Sequence, residues 1–167
     1  MNRCVIAAEL LAFSALFTAL VFAGIRKKES AAGIHNYPPD IQAEYFKTHE
    51  KQDVSAKSQK VILAKCTGLM LFCTIIVICA LLAGAKGFGS GFLFGFGMMA
   101  WIGAYDTFFL DWVLFANMKC FRLPGTEHMD KAYHQKWFHL KGALFPGLAF
   151  AVIVGLGVGG IVQLICG

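Results

Sequence analysis

Charged residues are scarce in this sequence. Lysine, arginine, aspartate and glutamate make up 15% of its 167 residues, and hydrophobic residues make up 57%. A soluble domain has about 25% charged and about 45–50% apolar residues. The apolar excess is too large for one water-soluble core, and it also excludes a disordered chain and a nucleic-acid-binding module. The sequence therefore predicts an integral membrane protein.

Long apolar runs supply four candidate spans, since a membrane-crossing helix needs about 20 mostly apolar residues. The spans are residues 4–25, 61–85, 87–118 and 142–166. The first could pass for a signal peptide, but its apolar run is too long and basic residues follow at once. We predict an all-α fold in which residues 1–167 form a single membrane domain, a bundle of four transmembrane helices.

Basic residues are concentrated in loop one (26–60) and loop three (119–141). With Lys65 at the edge of loop one, these loops hold all but two of the 15 lysines and arginines, the exceptions being Arg3 and Lys86. Because cytoplasmic loops are enriched in basic residues, we predict a bacterial plasma-membrane protein with both loops in the cytoplasm and both termini outside. The net charge of +5 then follows from this bias and from anionic lipid headgroups, without a nucleic-acid partner.

The six cysteines do not form a disulfide framework. Cys66, Cys73 and Cys79 lie within span two, where they act as small apolar residues. Cys4 and Cys166 fall at the same outer surface. A disulfide between them is possible if spans one and four are neighbours, although no other feature of the sequence supports it.

Small residues recur at every fourth position on spans three and four. They include Gly91 and Gly95 on span three and Gly147, Ala151, Gly155 and Gly159 on span four. Small residues let helix backbones approach closely in lipid, so we predict that these stripes pack helices together and can supply interfaces for a homo-oligomer. The glycine-rich segments are not phosphate-binding loops, because they do not lie between a strand and a helix and lack a Lys-Ser/Thr ending.

Three acidic residues lie within the predicted spans, where their cost makes them functional candidates. Glu9 is close enough to the outer end of span one to reach the interface. Asp106, with Tyr105 and Trp101 beside it, lies near the cytoplasmic edge of span three, and Asp111 lies at the headgroup level. The candidates for a substrate or ion pathway are the four residues of span three: Trp101, Tyr105, Asp106 and Asp111. Residues five apart on an α-helix are about 140° apart, so we expect Asp106 and Asp111 on different faces, each with partners from loop one or loop three.

Loop three predicts a short amphipathic helix on the inner membrane surface. Thr126 follows a Pro-Gly turn as a candidate N-cap, and apolar residues then recur at helical spacing. This apolar stripe consists of Met129, Tyr133, Trp137 and Leu140. The polar candidates at this interface are Glu127, His128, Asp130, His134 and His139.

The histidines of loop three raise the question of a metal site. His128 and His139 would share a face of this helix, but at about 16 Å apart they could not bind one ion. Asp130 and His134, four residues apart, suit either an ion pair or two ligands of a metal that another segment completes. No HExxH or CxxC motif accompanies them, and no other cofactor is indicated.

Loop one contains a second short helix, which Pro39 can open and which reaches about Glu50. Ile41, Tyr45 and His49 line one side of it. This helix is either solvated in the cytoplasm or a cap that docks on loop three over the carboxylates of span three.

Four motifs carry a family resemblance: NYPPDIQAEYF, YDTFFLDW, RLPGTEHMDKAYH and WFHLKG. They resemble a group of small four-span membrane proteins of Gram-positive, mostly anaerobic bacteria, over most of the chain from about Tyr37 onward. The resemblance implies the four-span fold and marks the cytoplasmic motifs as recurrent. The group has no established activity, so no catalytic or binding role is implied.

These features leave three functional hypotheses. The first is a transporter or channel-like protein for a small solute or cation, working as an oligomer with Asp106 in the pathway. The second is a membrane-embedded enzyme that acts on a lipid or amphiphile at the cytoplasmic leaflet, with loop-three histidines as acid–base groups. The third is an accessory subunit that binds a partner membrane protein. Transport is favoured, because small residues dominate two helices and carboxylates cluster on one.

Overall fold

The computed structural model describes residues 1–26, 34–49 and 59–167, and this part of the chain contains helices and no strand. The main helices are α1 (Arg3–Arg26), α2 (Pro39–Tyr45), α3 (Gln59–Leu82), α4 (Phe88–Tyr105), α5 (Asp130–Tyr133), α6 (Lys136–Gly142) and α7 (Leu148–Cys166). Two segments are wide π-type turns, Asp106–Phe115 and Ala143–Gly147. Two others are single 3₁₀ turns, Ile34–Asn36 and Lys119–Phe121. The predicted all-α class is confirmed for these residues. The basic residues of loop one at 27, 28, 51 and 57 lie outside them.

Three helical stretches are long and apolar enough to cross a membrane. They are Arg3–Ile25, Phe88–Phe115 and Asp130–Cys166. The apolar part of α3, Cys66–Leu82, is shorter. This pattern is that of a helical membrane protein.

The described residues form two compact units. Unit one comprises those of Met1–Ala12, Asp53–Ile102 and Pro146–Gly167, and unit two those of Phe13–Gln52 and Gly103–Phe145.

Within unit one, α4 and α7 meet backbone to backbone at their glycines. A Cβ atom added at Gly91 would lie 2.9 Å from Val162 Cβ and 3.0 Å from Gly159 Cα, and one added at Gly159 would lie 2.8 Å from the carbonyl oxygen of Phe88. Gly95 meets Gly155 in the same way, since a Cβ atom added at Gly95 would lie 3.2 Å from Gly155 Cα. The two small-residue stripes therefore pack against each other inside one chain.

The other two residues of the predicted span-four stripe behave differently from each other. Ala151 is buried, whereas Gly147 is exposed. Just before Gly147 the helix is interrupted, because Phe145 adopts extended angles (φ −150°, ψ 115°) ahead of Pro146. The α conformation is disfavoured for a residue that precedes proline, which explains the kink at Phe145.

The first turn of α4 is capped from a distance within unit one. The backbone N–H of Phe88 donates to Oε1 of Gln163, in the last turns of α7, at 2.9 Å. Ser90 Oγ accepts the N–H of Lys86 at 3.0 Å and that of Gly87 at 3.2 Å. These bonds satisfy N–H groups that a helix start leaves without partners.

Cys4 and Cys166 are both free thiols in the structure. The disulfide that the sequence allowed between them is therefore not formed.

The core of unit two is an apolar cluster that we call the aromatic cap. It consists of Ile41, Tyr45, Phe115, Phe121, Leu123, Ala132 and Tyr133. Tyr37 packs edge-on against Phe115, with ring centroids 5.1 Å apart, and Phe22 packs edge-on against Phe121 at 5.9 Å. Because α2 buries Ile41 and Tyr45 in this cluster, the loop-one helix docks on loop three.

The prediction of one amphipathic helix in loop three is wrong. The segment forms two short helices, α5 and α6, separated by the non-helical residues His134 and Gln135. The break lets consecutive stripe residues face different environments, since Tyr133 is 1% exposed and Trp137 is 73% exposed.

Thr126 does not cap a helix as expected; the N-cap of α5 is Met129. The hydroxyl of Thr126 donates to the carbonyl of Leu123 at 2.9 Å and lies 2.7 Å from the hydroxyl of Tyr133. Tyr133 in turn accepts the N–H of Leu123 at 2.9 Å. This buried network holds the loop before α5 onto the aromatic cap.

Candidate functional site

A histidine and a carboxylate meet inside unit two. Nδ1 of His139, on α6, lies 3.0 Å from Oδ2 of Asp111, and the two side chains are 8% and 21% exposed. The sequence places His139 at the membrane interface, on the same predicted helix face as His128. In the structure His128 is exposed and His139 is turned inward.

The wide turns of Asp106–Phe115 change how Asp106 and Asp111 are placed relative to each other on this segment. In π-type turns the N–H of one residue bonds to the carbonyl five positions back, as the N–H of Ala116 does with Asp111. Residues five apart then lie about one turn apart, and the 140° separation expected for an α-helix does not apply. Asp106 interacts electrostatically with both Asp111 and His139. We call these three residues the Asp–His cluster.

The second ring nitrogen of His139 is free within the described residues. Nε2 is buried and has no hydrogen-bond partner among them, while the rings of Phe115 and Phe138 pack against the imidazole with centroids 5.2 Å away. In a neutral imidazole one nitrogen donates and the other accepts. With Nδ1–H donating to Asp111, Nε2 is left as an acceptor for a proton.

The aromatic residues predicted beside Asp106 have other partners. The hydroxyl of Tyr105 lies 2.8 Å from that of Thr18 on α1, and Thr18 donates to the carbonyl of Ser14 at 2.9 Å. Trp101 belongs to unit one and is exposed. The contact between the Tyr105 and Thr18 hydroxyls connects α1 to the end of α4 within unit two.

The polar candidates of loop three do not join the Asp–His cluster. The carboxylate of Asp130 lies 2.9 Å from Nη2 of Arg122, and His134 Nδ1 lies 2.8 Å from the backbone carbonyl of Asp130. Glu127 and His128 are exposed. The Asp130 and His134 side chains, predicted as an ion pair or two metal ligands, are thus not paired with each other. Among the described residues, no group of three or more His, Cys, Asp or Glu side chains could hold a metal ion.

Arg122 is a structural residue that the sequence did not single out. Its Nη2 donates to the carbonyl of Ala116 at 2.9 Å, and its guanidinium lies over the ring of Tyr133 at 3.9 Å from the centroid. Only its place eight residues before Asp130 in the segment RLPGTEHMDKAYH could have pointed to it. The guanidinium joins the end of the wide turns to α5.

A shallow cleft lies on the surface of unit two beside α5. Its polar side chains are those of Asp40, His128, Asp130, Lys131 and Gln135. Gln135 Nε2 donates to Asp40 Oδ2 at 2.7 Å, which links α2 to the junction of α5 and α6.

Two groups of loop one have displaced pKa values. Burial, together with the nearby Tyr133 and Cys120, raises the pKa of Tyr37 to about 12, and its hydroxyl donates to the carbonyl of Phe121 at 3.1 Å. On the exposed side of α2, the ammonium of Lys47 lies 2.6 Å from Glu44 and lowers the pKa of that carboxyl.

No protein-family model, no curated protein and no solved structure matches the chain. The chemistry of the Asp–His cluster is therefore interpreted from the contacts within the chain itself.

Proposed function

We propose that the chain is a four-span protein of the bacterial plasma membrane, with both termini outside. The 24 residues of α3 extend over about 36 Å at 1.5 Å per residue, which is enough for a fourth crossing. The basic residues of loops one and three favour the cytoplasm for both.

We propose further that the protein transports protons together with a small solute or cation, through the Asp–His cluster. The observation that carries this proposal is the contact between His139 and Asp111. The charges of both residues also act on Asp106. Asp106 and Asp111 lie in one of the stretches apolar enough to cross a membrane. Ionisable residues in such positions are costly and are typical of proton relays in transporters.

The chemistry of the cluster suits a proton that is taken up and given back. His139 Nε2 accepts a proton through its lone pair, which converts the imidazole to imidazolium. Asp111 stabilises that charge at Nδ1, and Asp106 adds a second negative charge nearby. Release of the proton from Nε2 restores the neutral ring. Histidine is suited to this cycle because each of its two ring nitrogens can hold a proton.

We propose that the working form is an oligomer, since four helices enclose little space for a solute. The glycines at positions 91, 95, 155 and 159 are already used between α4 and α7. The apolar face of α1, which exposes Leu11, Leu16 and Leu20, is the surface we assign to lipid or to a second copy.

Charge displacement after a pH jump tests this proposal, with the purified protein in proteoliposomes on a solid-supported membrane. Proton binding at the cluster gives a transient current in the native protein, and Asp106→Asn and His139→Gln abolish most of it. Glu127→Gln, which changes an exposed carboxylate of loop three, leaves the current unchanged. Equal currents in the native protein, Asp106→Asn and His139→Gln would refute the proton pathway.

An enzyme at the cytoplasmic leaflet is a second candidate, favoured by the free Nε2 of His139. A histidine oriented by a carboxylate is a general base when its other nitrogen faces a substrate. The test is incubation of the protein with bacterial lipids, followed by mass spectrometry. Lipid turnover that His139→Gln abolishes, without any pH-jump current, would replace transport by this function. Copurification with one membrane protein in stoichiometric amounts would favour the accessory subunit.

A further inference from the structure

A second carboxyl group lies inside a predicted span, in unit one. Glu9 is on α1, and its side chain is hydrogen-bonded with the thiol of Cys79 on α3. The other carboxyl oxygen, Oε2, is buried and has no hydrogen-bond partner within the described residues. The bond from Cys79 therefore goes to Oε1.

The surroundings of Glu9 do not support a negative charge. A thiol is a weak donor, and Glu9 takes no part in the ion pairs of the described side chains. Among the described residues, the titratable side chain that interacts with Glu9 is the thiol of Cys79. A charged oxygen that is buried without a cation or a strong donor carries a free-energy cost, which a proton on that oxygen removes.

The alternatives to a proton fit the contacts less well. A sodium or magnesium ion requires several oxygen ligands, whereas Glu9 faces one sulfur. A zinc ion prefers four ligands that include histidine or thiolate, and no metal-ligating group of three exists among the described residues. A metal-bound Cys79 would be a thiolate, whereas the thiol that donates a hydrogen bond to Oε1 keeps its proton.

We propose that Glu9 is a proton-binding site within unit one, which holds a proton at neutral pH and accepts the thiol hydrogen of Cys79. The proton is carried on Oε2, so the side chain is an uncharged carboxylic acid. The site is separate from the Asp–His cluster in residues and in unit. It does not depend on the transport function proposed above.

A hydrophobic carbodiimide tests the site, because dicyclohexylcarbodiimide reacts with protonated carboxyl groups in lipid. The carboxyl O–H adds across one C=N bond, and the acyl group then moves to nitrogen, leaving an N-acylurea with the whole reagent added. In the full-length protein at about pH 8, above the ordinary range of a glutamate, we expect the added mass on the peptide that contains Glu9. Glu9→Gln removes it, and Glu127→Gln does not.

Infrared spectroscopy provides a measurement that does not depend on reagent access. An un-ionised carboxylic acid has a C=O stretch that a carboxylate lacks, and the S–H stretch of a cysteine shifts when the thiol donates a hydrogen bond. We expect the spectrum at neutral pH to lose one acid C=O band in Glu9→Gln and to lose the S–H band of Cys79 in Cys79→Ala. The remaining acid C=O band of Glu9 should shift in Cys79→Ala, since it loses its donor.

The proposal is overturned if Glu9→Gln removes no acid C=O band at neutral pH, whatever the labelling result. It is also overturned if labelling of Glu9 falls away between about pH 4 and about pH 6, as it does for a glutamate in water. Failure of the pH-jump current leaves both measurements unaffected, because neither involves Asp106 or His139.

Discussion

His139 Nδ1 lies 3.0 Å from Asp111 Oδ2, and this contact joins α6 to the wide turns that follow α4. His139 lies in the segment WFHLKG and Asp111 in the segment YDTFFLDW. The contact uses Nδ1, so Nε2 is the ring nitrogen without a hydrogen-bond partner among the described residues. The cluster is thus built from a histidine and carboxylates that different segments contribute.

The contact between His139 and Asp111 should be measurable as a coupling in stability. Asp111→Asn and His139→Gln are each expected to lower the free energy of unfolding by about 1–3 kcal/mol, since each leaves a buried partner without its charge-assisted hydrogen bond. The double variant should lose clearly less than the two separate losses together. Unfolding in mixed detergent micelles provides the measurement, and strict additivity would contradict the contact.

The wide turns can be tested at exposed positions away from the cluster. Phe108, Phe109 and Val113 are 51%, 41% and 47% exposed. In π-type turns residues five apart are neighbours, so the pair Phe108→His/Val113→His should bind Ni²⁺ in detergent at least about tenfold more tightly than Phe109→His/Val113→His, a difference of ~1.4 kcal/mol. Calorimetric titration measures both. An ordinary α-helix would reverse the order, because residues four apart are neighbours there.

The backbone contact between α4 and α7 predicts opposite effects for two glycines of one helix. A Cβ at Gly91 would lie 2.9 Å from Val162 Cβ, whereas a Cβ at Gly97 would meet nothing within 4 Å. Gly91→Ala should therefore lower the free energy of unfolding by about 1–3 kcal/mol through overpacking. Gly97→Ala should leave it unchanged or raise it by up to about 1 kcal/mol, since alanine favours the helix. Thermal unfolding in detergent distinguishes them, and equal effects would argue against the close approach.

Tyr37 should make the protein less stable at high pH. Its pKa is raised to about 12 in the folded chain from about 10 when unfolded. The unfolded chain therefore loses the proton first, so the stabilising contribution is complete below about pH 10 and is lost as the pH rises towards 12.

The variant Tyr37→Phe isolates this effect. It should unfold more easily at pH 7, by about 1 kcal/mol, because the bond to the carbonyl of Phe121 is lost. Its stability should then fall less than that of the native protein between about pH 9 and about pH 11. Thermal unfolding at several pH values measures the difference, with Tyr105→Phe as the control. Parallel pH profiles for the native protein and Tyr37→Phe would disprove the assignment.

Composition and apolar run length were sufficient for the helical membrane fold. The apolar runs that became α1, α4 and α7 are long, and Pro146 interrupts the last of them for a steric reason that the sequence contains. The docking of α2 was one of two open alternatives. Its outcome depends on how Ile41 and Tyr45 fit the aromatic cap, which spacing along one helix does not reveal.

The geometry of the candidate site was less accessible from the sequence. Asp106 was recognised as costly in lipid, yet its relation to Asp111 was derived for α-helical turns. Whether a backbone N–H bonds four or five positions back depends on packing around the segment, and no residue type in Asp106–Phe115 specifies it. The inward turn of His139 likewise depends on the break at His134 and Gln135, which no proline or glycine marks.

The hydrogen bond from Phe88 N–H to Gln163 Oε1 has a consequence for engineering. Gln163 interrupts an otherwise apolar helix, so any procedure that optimises hydropathy would replace it with leucine. That substitution would improve the lipid solubility of α7 while uncapping α4 beside the glycine contact. For this chain, the most hydrophobic sequence would not be the most stable one.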